Sequence, residues 1–400
     1  MKDVGIVMPV YKQNPIYLEL ALRSILQQIY QDYHFVIVSD GAPSETIDVI
    51  KSVTKGDKRV HFIHKDINEG VARTLNVGFD YLMKINEIKY LTWVSSDNIY
   101  YPTFIEKLRR ALENAPEEIG LSYSSFRHID QKGNFLKEPS LEEFYKYQNQ
   151  PKENLLDVCF IGASFMYKKK YAVKIDGYNL EPVEDYDYWL RLTEICDIVY
   201  VEEALMEYRT NSPFSISTQL NNSLIQHRRW RYALNLARQQ ARNRRNIPFM
   251  LTVIYPVSDS TDKTIEKLEQ LLEQSYSNFK LIIVDYSMKS FTLKKLLQIS
   301  DPRVAPQKIQ GASEFEAIRR GLYASNTPFT LVYGKGNFPT SPLALYDLIN
   351  NGLNIKKQNL EGIALVDEGY RKVGHRKVIN KESPVYGNLY ITESLQKLIN

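Results

Sequence analysis

The stretch Phe35-Val36-Ile37-Val38-Ser39-Asp40-Gly41 decides the fold, because four apolar residues predict a buried strand and the polar turn after them ends it. A second apolar run, Val4–Met8, precedes it and stops at Pro9. The pattern also predicts helices over 16–28 and 45–53, and a third helix that follows the turn at 68–70 and ends at about 83. Further strands are predicted over 60–63 and 90–94. Strands that alternate with helices predict an α/β fold with a mostly parallel sheet flanked by helices.

The composition is that of a folded protein without membrane spans. Hydrophobic residues make up 44% of the chain and charged residues 24%, and no run approaches the ~18 apolar residues of a membrane-spanning helix. The N-terminus enters a strand pattern at once, so we expect no signal peptide. Two cysteines allow neither a disulfide framework nor a cysteine metal cluster. We therefore expect a cytoplasmic protein, and its mild net charge of +4 leads us to expect no nucleic-acid partner.

The second half of the chain repeats short motifs of the first. Met8-Pro9-Val10 returns as Tyr255-Pro256-Val257, and Asp57-Lys58-Arg59-Val60 returns as Asp301-Pro302-Arg303-Val304. Asn98, which precedes an aromatic-proline stretch, has its counterpart in Asn337-Phe338-Pro339. Such self-similarity indicates a repeated structural unit, so we predict a second, truncated α/β domain.

An arginine-rich segment joins the two halves. From Tyr208 to Ser258 there is no Asp or Glu, but there are eight arginines. This asymmetry indicates an anionic partner or a solvated connector helix. The predicted organisation is a catalytic domain over 1–220, a connector helix over 221–246 and a non-catalytic domain over 247–400. In that last domain Gly334-Lys335-Gly336-Asn337 replaces Ser95-Ser96-Asp97-Asn98 of the first.

Polar residues follow the predicted strands, and ligands of parallel α/β sheets bind beyond the carboxyl ends of the strands. Pro9 and Tyr11 follow the first strand, where the tyrosine can stack on a base. Asp40 can accept the imide N–H of uracil or thymine. Asp97 can supply one carboxylate to a Mg²⁺ or Mn²⁺ that bridges two phosphates. The alternative is structural: Asp40 is a turn residue and Asp97 a helix N-cap.

A third carboxylate candidate lies in Glu184-Asp185-Tyr186-Asp187. A helix is predicted to begin here, so the acidic residues could simply complement the helix dipole. The functional interpretation makes Asp185 the base that deprotonates an acceptor hydroxyl. One such base without a second partner fits an in-line displacement with inversion at the anomeric carbon.

These motifs together resemble glycosyltransferase family 2 over about residues 3–235. They are Val7-Met8-Pro9-Val10-Tyr11, Val38-Ser39-Asp40-Gly41, Asn68-Glu69-Gly70-Val71-Ala72, Ser95-Ser96-Asp97-Asn98 and Glu184-Asp185. The resemblance implies a GT-A fold, a UDP- or dTDP-sugar donor, a Mn²⁺ or Mg²⁺ cofactor and transfer of a hexose to a hydroxyl of a glycan, polysaccharide or surface polymer.

By position, the resemblance assigns roles to individual residues. Those that would bind the nucleotide are Pro9, Tyr11, Asp40, Arg73 and Ser96; Asp97 would bind the metal and Asp185 would be the general base. The chain departs from the family pattern at two places. The usual arginine of the family falls at Leu75 rather than Arg73, and the usual first Asp of the metal motif falls at Ser95.

Two further stretches suggest partners. Gln226-His227-Arg228-Arg229-Trp230 is similar to a Gln-x-x-Arg-Trp motif whose tryptophan stacks on the acceptor, so Trp230 and Glu184 are acceptor candidates, the alternative being a chance helix sequence. Tyr208-Arg209-Thr210-Asn211 is similar to the family's Tyr-Arg-x-His near the metal and diphosphate. The expected partners are a nucleotide sugar, a glycan or lipid-linked acceptor and an anionic membrane surface touched peripherally by segment 228–245; self-association into a homo-oligomer stays open.

Two other functions remain open on the sequence. A non-catalytic nucleotide-sugar-binding or scaffold protein would fit the loss at Ser95, although the joint presence of Asp40, Asp97 and Asp185 argues against it. A nucleotidyltransferase would need a glycine-rich phosphate loop after the first strand, and Tyr11-Lys12-Gln13-Asn14-Pro15 contains no glycine.

Overall fold

The computed structural model divides into two compact units, Met1–Ala237 and Arg238–Asn400. The residues that it describes are 2–137, 139–212, 218, 220, 223–289, 291–335, 338, 340–357, 363–366, 373–376 and 386–399. Asn337 and Pro339 of the predicted repeat, and Gly336, lie outside them. No helix among these residues is long and apolar enough to cross a bilayer.

The described part of the first unit alternates strands and helices, as predicted. Its strands are β1 (Val4–Val10), β2 (Tyr33–Asp40), β3 (Val60–Lys65), β4 (Tyr90–Trp93), β5 (Ile99–Tyr100), β6 (Ile119–Ile129), β7 (Phe165–Lys168) and β8 (Asp197–Arg209). Its helices are α1 (Pro15–Leu26), α2 (Ser44–Val53), α3 (Val71–Met83), α4 (Phe104–Asn114), α5 (Leu141–Gln148), α6 (Lys169–Ala172) and α7 (Glu184–Leu192). Helix α8 (Leu224–Arg244) follows and contains the unit boundary.

The sheet of the first unit has the strand order β3-β2-β1-β4-β7-β6-β8-β5 within the described residues. Strands β1 to β4 pair in parallel, whereas β7 runs antiparallel to both β4 and β6. The central strands are apolar on both faces because helices cover both; every residue of β2 except His34 is buried. Strand β1 continues through Pro9 to Val10, beyond the predicted end. Strand β1 pairs with β4 only as far as Val7, so no backbone N–H is required at Pro9 for a hydrogen bond to β4.

Helix α3 packs very close to this sheet. A Cβ at Gly78 would lie 2.5 Å from a methyl carbon of Val7, so glycine is what allows the helix to approach β1. The parallel strands direct their carboxyl ends, and the loops after them, to one edge. The first unit therefore has the α/β architecture expected of a GT-A domain, with a sheet that is parallel through β3, β2, β1 and β4.

The described part of the second unit is a smaller α/β domain of the same kind. Its strands are β9 (Leu251–Val257), β10 (Phe279–Asp285), β11 (Val304–Lys308), β12 (Phe329–Val332), β13 (Ile363–Val366), β14 (Val373–Arg376) and β15 (Leu389–Ile391). Its helices are α9 (Asp262–Leu272), α10 (Phe291–Leu296), α11 (Glu314–Tyr323), α12 (Ala344–Lys357) and α13 (Thr392–Ile399). The strand order is β11-β10-β9-β12-β15-β13-β14.

The first four strands of each unit follow the same plan. The order β3-β2-β1-β4 corresponds to β11-β10-β9-β12, and all these neighbours are parallel. Details repeat as well: the guanidinium of Arg59 lies 4.7 Å from the centre of the Tyr33 ring, and that of Arg303 lies 4.4 Å from the centre of the Phe279 ring. The second unit is therefore GT-A-like and truncated.

Candidate active site

Three loops meet beyond the carboxyl ends of the parallel strands in the first unit. The loop after β1 contains Tyr11, whose side chain is about half exposed at 52%. It also contains Gln13, whose side-chain Nε2 donates to Ser96 Oγ at 3.2 Å, which joins it to the loop after β4. The structure thus brings Ser96, a predicted nucleotide contact, next to the loop that carries Tyr11.

The Asp40 carboxylate is buried and holds the turn before α3. Its Oδ1 accepts from Lys65 Nζ at 2.6 Å and from the Glu69 N–H at 3.0 Å, and its Oδ2 accepts from the Gly70 N–H at 3.0 Å. A carboxylate offers about four acceptor positions. One position therefore remains for a base N–H, and the assignment of Asp40 to the base stays a prediction.

Lys65 is a site residue that the sequence analysis missed. Partial burial lowers its pKa, but hydrogen bonds to Asp40 and Glu69 outweigh this effect, so the pKa of Lys65 is raised and the side chain stays charged. Lys65 is the last residue of β3, and this position at the carboxyl end of a strand could have identified it from the sequence. Arg73 lies on the outer side of the same region, mostly exposed, and pairs with Glu69 at 3.0 Å.

Asp97 is buried directly after β4. Its Oδ1 accepts from Ser95 Oγ at 2.6 Å, and its backbone carbonyl accepts from Arg209 Nε at 3.1 Å. Burial raises the pKa of Asp97, although the Ser95 hydrogen bond and the Arg209 charge oppose this shift. An ionised Asp97 would therefore be stabilised by a cation. Arg209 was named only through the Tyr208-Arg209 motif; it is buried and stacks over Tyr17 at 4.1 Å.

The residues present fit a metal that is shared with phosphates. Within the described residues there is no group of three or more His, Cys, Asp or Glu side chains that could enclose a cation. Mg²⁺ and Mn²⁺ bound to nucleotides need one or two protein carboxylates, with phosphate and water as the remaining ligands. Asp97 can serve as that one carboxylate, since the Ser95 hydroxyl engages its Oδ1 and not its Oδ2.

The Glu184–Asp185 pair begins α7. Asp185 is half-buried, and its Oδ1 accepts from the Tyr186 N–H at 2.6 Å. Burial raises the pKa of Asp185. Burial, followed by the Asp185 charge, raises the pKa of Glu184, whose Oε2 has no hydrogen-bond partner among the described residues. A carboxylate whose pKa is moved toward neutrality suits a general base, and the raised pKa of Glu184 favours its neutral form.

Glu181 connects this pair to the Asp40 turn. Its Oε1 accepts from the Ala72 N–H at 2.8 Å, in the first turn of α3. A Cβ at Gly70 would lie 2.5 Å from Glu181 Oε1, and the φ of +97° at Gly70 is one that residues other than glycine rarely adopt. Asp185 lies four residues after Glu181, so the segment that leads into it is held against the turn that Asp40 holds.

Aromatic rings connect the metal candidate to α7. The Trp93 ring, at the end of β4, meets Phe165 edge-on at 5.9 Å, and Phe165 meets Trp189 of α7 at 5.4 Å. These contacts join the end of β4, four residues before Asp97, to the middle of α7. Named contacts thus link the Asp40 turn to the segment before α7, and β4 to α7 itself.

The acceptor and membrane candidates lie on α8. Trp230 is half-buried, and the centre of its ring lies 5.5 Å from that of His227. Arg231, Arg238 and Arg242 are buried. Contact of segment 228–245 with an anionic surface would therefore depend on its exposed arginines, Arg229 and Arg244.

The first part of the chain is similar in sequence to known glycosyltransferases. A sequence profile described as glycosyl transferase family 2 matches residues 5–175. An uncharacterized glycosyltransferase of Methanocaldococcus jannaschii is 31% identical over 209 residues, which cover 52% of this chain and 70% of that protein. The O-antigen biosynthesis glycosyltransferase WbnJ of Escherichia coli is 28% identical over 218 residues, 52% of this chain and 80% of that protein.

A longer match extends into the second unit. An uncharacterized glycosyltransferase of Rickettsia felis is 26% identical over 323 residues, which cover 70% of this chain and 52% of that protein. The chain therefore spans about half the length of this relative.

Proposed function

Because this chain belongs to glycosyltransferase family 2, we propose that its first unit transfers a hexose from a UDP- or dTDP-sugar to a hydroxyl group, with inversion at the anomeric carbon. The acceptor that we propose is a glycan, a polysaccharide or a surface polymer, in keeping with the O-antigen role in the name of one relative. The observation that supports this function best is that the turn held by Asp40 is joined, through the start of α3, to the segment that leads into Asp185.

The reaction is a single displacement. The acceptor oxygen forms a bond to the anomeric carbon while the bond from that carbon to the diphosphate oxygen breaks, and the diphosphate leaves with the electron pair. The acceptor proton passes to a carboxylate oxygen of Asp185. The raised pKa of Asp185 brings this base closer to neutral pH, where proton transfer is most effective.

The remaining residues bind and orient the donor. Asp40 has one acceptor position left for an imide N–H, and Tyr11 is exposed enough to stack on a base. A Mn²⁺ or Mg²⁺ held by Asp97 would neutralise charge on the leaving diphosphate. Ser96 and Arg73 would contact the nucleotide, and Trp230 and Glu184 the acceptor.

Donor selectivity tests this proposal. Because Asp40 offers an acceptor to an imide N–H, UDP or dTDP should bind the full chain more tightly than GDP, which calorimetry can measure in the presence of Mn²⁺. Slow hydrolysis of a UDP- or dTDP-sugar should accompany binding. Equal or tighter binding of GDP would refute the base assignment. Tight UDP binding without any hydrolysis would favour a non-catalytic nucleotide-sugar-binding protein.

A further inference from the structure

The second unit contains a cavity in the position where such sheets bind ligands. It has a volume of about 480 Å³ and is lined by Val257 at the end of β9, Tyr286 just after β10 and Gly334 just after β12. Ligand sites in proteins commonly measure about 300–1,000 Å³. The carboxyl ends of parallel strands are the usual place for them.

The framework around this cavity matches that of the candidate active site. Asp285 ends β10 and is fully buried, and its Oδ2 lies 2.7 Å from Lys308 Nζ, just as Asp40 at the end of β2 lies 2.6 Å from Lys65 Nζ. The cavity therefore occupies the place in the second unit that the proposed nucleotide site occupies in the first.

Two lysines bring positive charge to this cavity. Lys263 and Lys267 lie one turn apart on α9 and both line it. Neither forms an ion pair with a described carboxylate, and Lys267 Nζ donates to the Gly334 carbonyl. Burial and then the charge of Lys263 lower the pKa of Lys267. Like charges at this spacing destabilise a helix, and an anion between them would relieve that repulsion.

The carboxylates of the cavity do not balance these lysines. Asp259 accepts from the Thr261 N–H at 3.0 Å and from Thr264 Oγ1 at 2.6 Å, so it caps the start of α9. Glu314 is paired with a third lining lysine, Lys335, and also accepts from the Tyr386 hydroxyl. Asp259 keeps its charge, so three lysines face two carboxylates in the lining and leave one positive charge in excess for a ligand.

The residues that correspond to the metal motif of the first unit differ in the second unit. Lys335 occupies the sequence position of Ser96, and glycine occupies that of Asp97. No carboxylate that could recruit a cation stands at this sequence position, and three lysines line the cavity: Lys263, Lys267 and Lys335. A tyrosine, Tyr286, follows β10 where Gly41 follows β2, and its half-buried ring offers a stacking surface.

We propose that the second unit binds a nucleoside diphosphate without a divalent cation and without turnover. Its diphosphate would lie on Lys263 and Lys267 beside the first turn of α9, and its base beside Tyr286. This proposal rests on the proposed function in one respect, since the nature of the ligand follows from the parallel with the first unit.

Calorimetry on the full chain in EDTA tests the proposal, with UDP, uridine and inorganic pyrophosphate as probes. We expect UDP to bind in EDTA, also in the Asp97→Asn variant. The double variant Lys263→Gln/Lys267→Gln should weaken this binding about tenfold or more, because two charge-assisted contacts are lost. The exposed pair Lys51 and Lys55, with the same spacing in the first unit, gives the matched control Lys51→Gln/Lys55→Gln, which should change nothing.

The site would be overturned by the absence of UDP binding in EDTA, by unchanged binding in the Lys263/Lys267 variant, or by pyrophosphate binding as tightly as UDP. Uridine should bind much more weakly than UDP, and equal binding would likewise refute the role of the lysines. Binding that requires Mn²⁺ belongs to the first unit. If no UDP binding required Mn²⁺, the function proposed for the first unit would be contradicted. The result measured in EDTA for the second unit would still stand.

Discussion

At the scale of single residues, the mechanism depends on Asp185. The change Asp185→Asn keeps the shape of the side chain and removes the basic oxygen, so turnover should fall by about 10²–10⁴-fold. Donor affinity should change little, because the proposed base and diphosphate contacts involve other residues. Steady-state kinetics and calorimetry measure the two effects separately.

The neighbouring Glu184 provides the control. Burial and the Asp185 charge raise the pKa of Glu184 and so favour its neutral form, which Glu184→Gln resembles; activity should therefore largely survive. An inactive Glu184→Gln beside an active Asp185→Asn would assign the base to Glu184 instead. If both remained active, Asp187 would be the next residue to test, although it already pairs with Arg191 at 2.8 Å.

The pH profile offers a separate test of Asp185. A general base acts in its deprotonated form, so kcat/KM should fall as the pH drops through its pKa. Because burial raises that pKa, the acid limb should lie above about 3.9, the ordinary value of an aspartate. The limb should disappear from the residual rate of Asp185→Asn. An acid limb near 4 in the unaltered enzyme would contradict the assignment.

Asp97 is the residue on which metal dependence rests. Asp97→Asn keeps the Ser95 hydrogen bond to an amide oxygen but removes the charge that a cation needs, so Mn²⁺ should no longer strengthen UDP binding. Asp66, whose side chain is 97% exposed, gives the control Asp66→Asn, which should behave like the unaltered chain. Calorimetric titration with and without Mn²⁺ provides the comparison. Unchanged metal dependence in Asp97→Asn would show that Asp97 is not the ligand.

At the scale of elements, the turn after β2 and the turn before α3 act as one unit. Gly41 has a φ of +66°, and a Cβ there would lie 2.6 Å from the backbone nitrogen of Asn68. Gly41→Ala should therefore displace the turn that Asp40 holds. We expect a fall in both the free energy of unfolding and the affinity for UDP, measured by denaturant titration and calorimetry.

The change Gly133→Ala is a control that introduces backbone strain without displacing a neighbouring residue. It also has a positive φ, +87°, but a Cβ there would have no neighbour within 4 Å. Gly133→Ala should cost only the strain of the left-handed conformation, about 1–2 kcal/mol, with UDP affinity unchanged. If Gly41→Ala cost no more than Gly133→Ala and bound UDP normally, the coupling of the two turns would be refuted.

At the scale of the whole molecule, we expect catalysis in the first unit alone. The second unit has the strand order of a GT-A domain, but glycine stands at the sequence position of Asp97. The full chain with both Asp97→Asn and Asp185→Asn should therefore show no donor hydrolysis above the uncatalysed rate, as measured by release of UDP. Residual turnover that a further change within 238–400 removed would place a second catalytic site there.

The sequence alone determined the fold class and the order of the elements as far as β4. Alternation of apolar strands with helices is a local pattern, and a parallel sheet then places the residues after each strand at one edge, which is why Asp40 and Asp97 could be named beforehand. Asp185 was named from the acidic stretch at a predicted helix start. The sequence pattern also indicated the second domain, since Asp57 and Arg59 recur as Asp301 and Arg303.

Tertiary structure alone decided the partners of these residues. The pairing of Asp40 with Lys65, the contact of Glu181 with the first turn of α3 and the burial of Arg209 join residues that are 25 to 112 positions apart. No local pattern encodes such distances, because they depend on how strands pair and loops close. The same holds for pKa shifts: burial, which raises the pKa values of Asp97 and Asp185, is a property of the packed molecule.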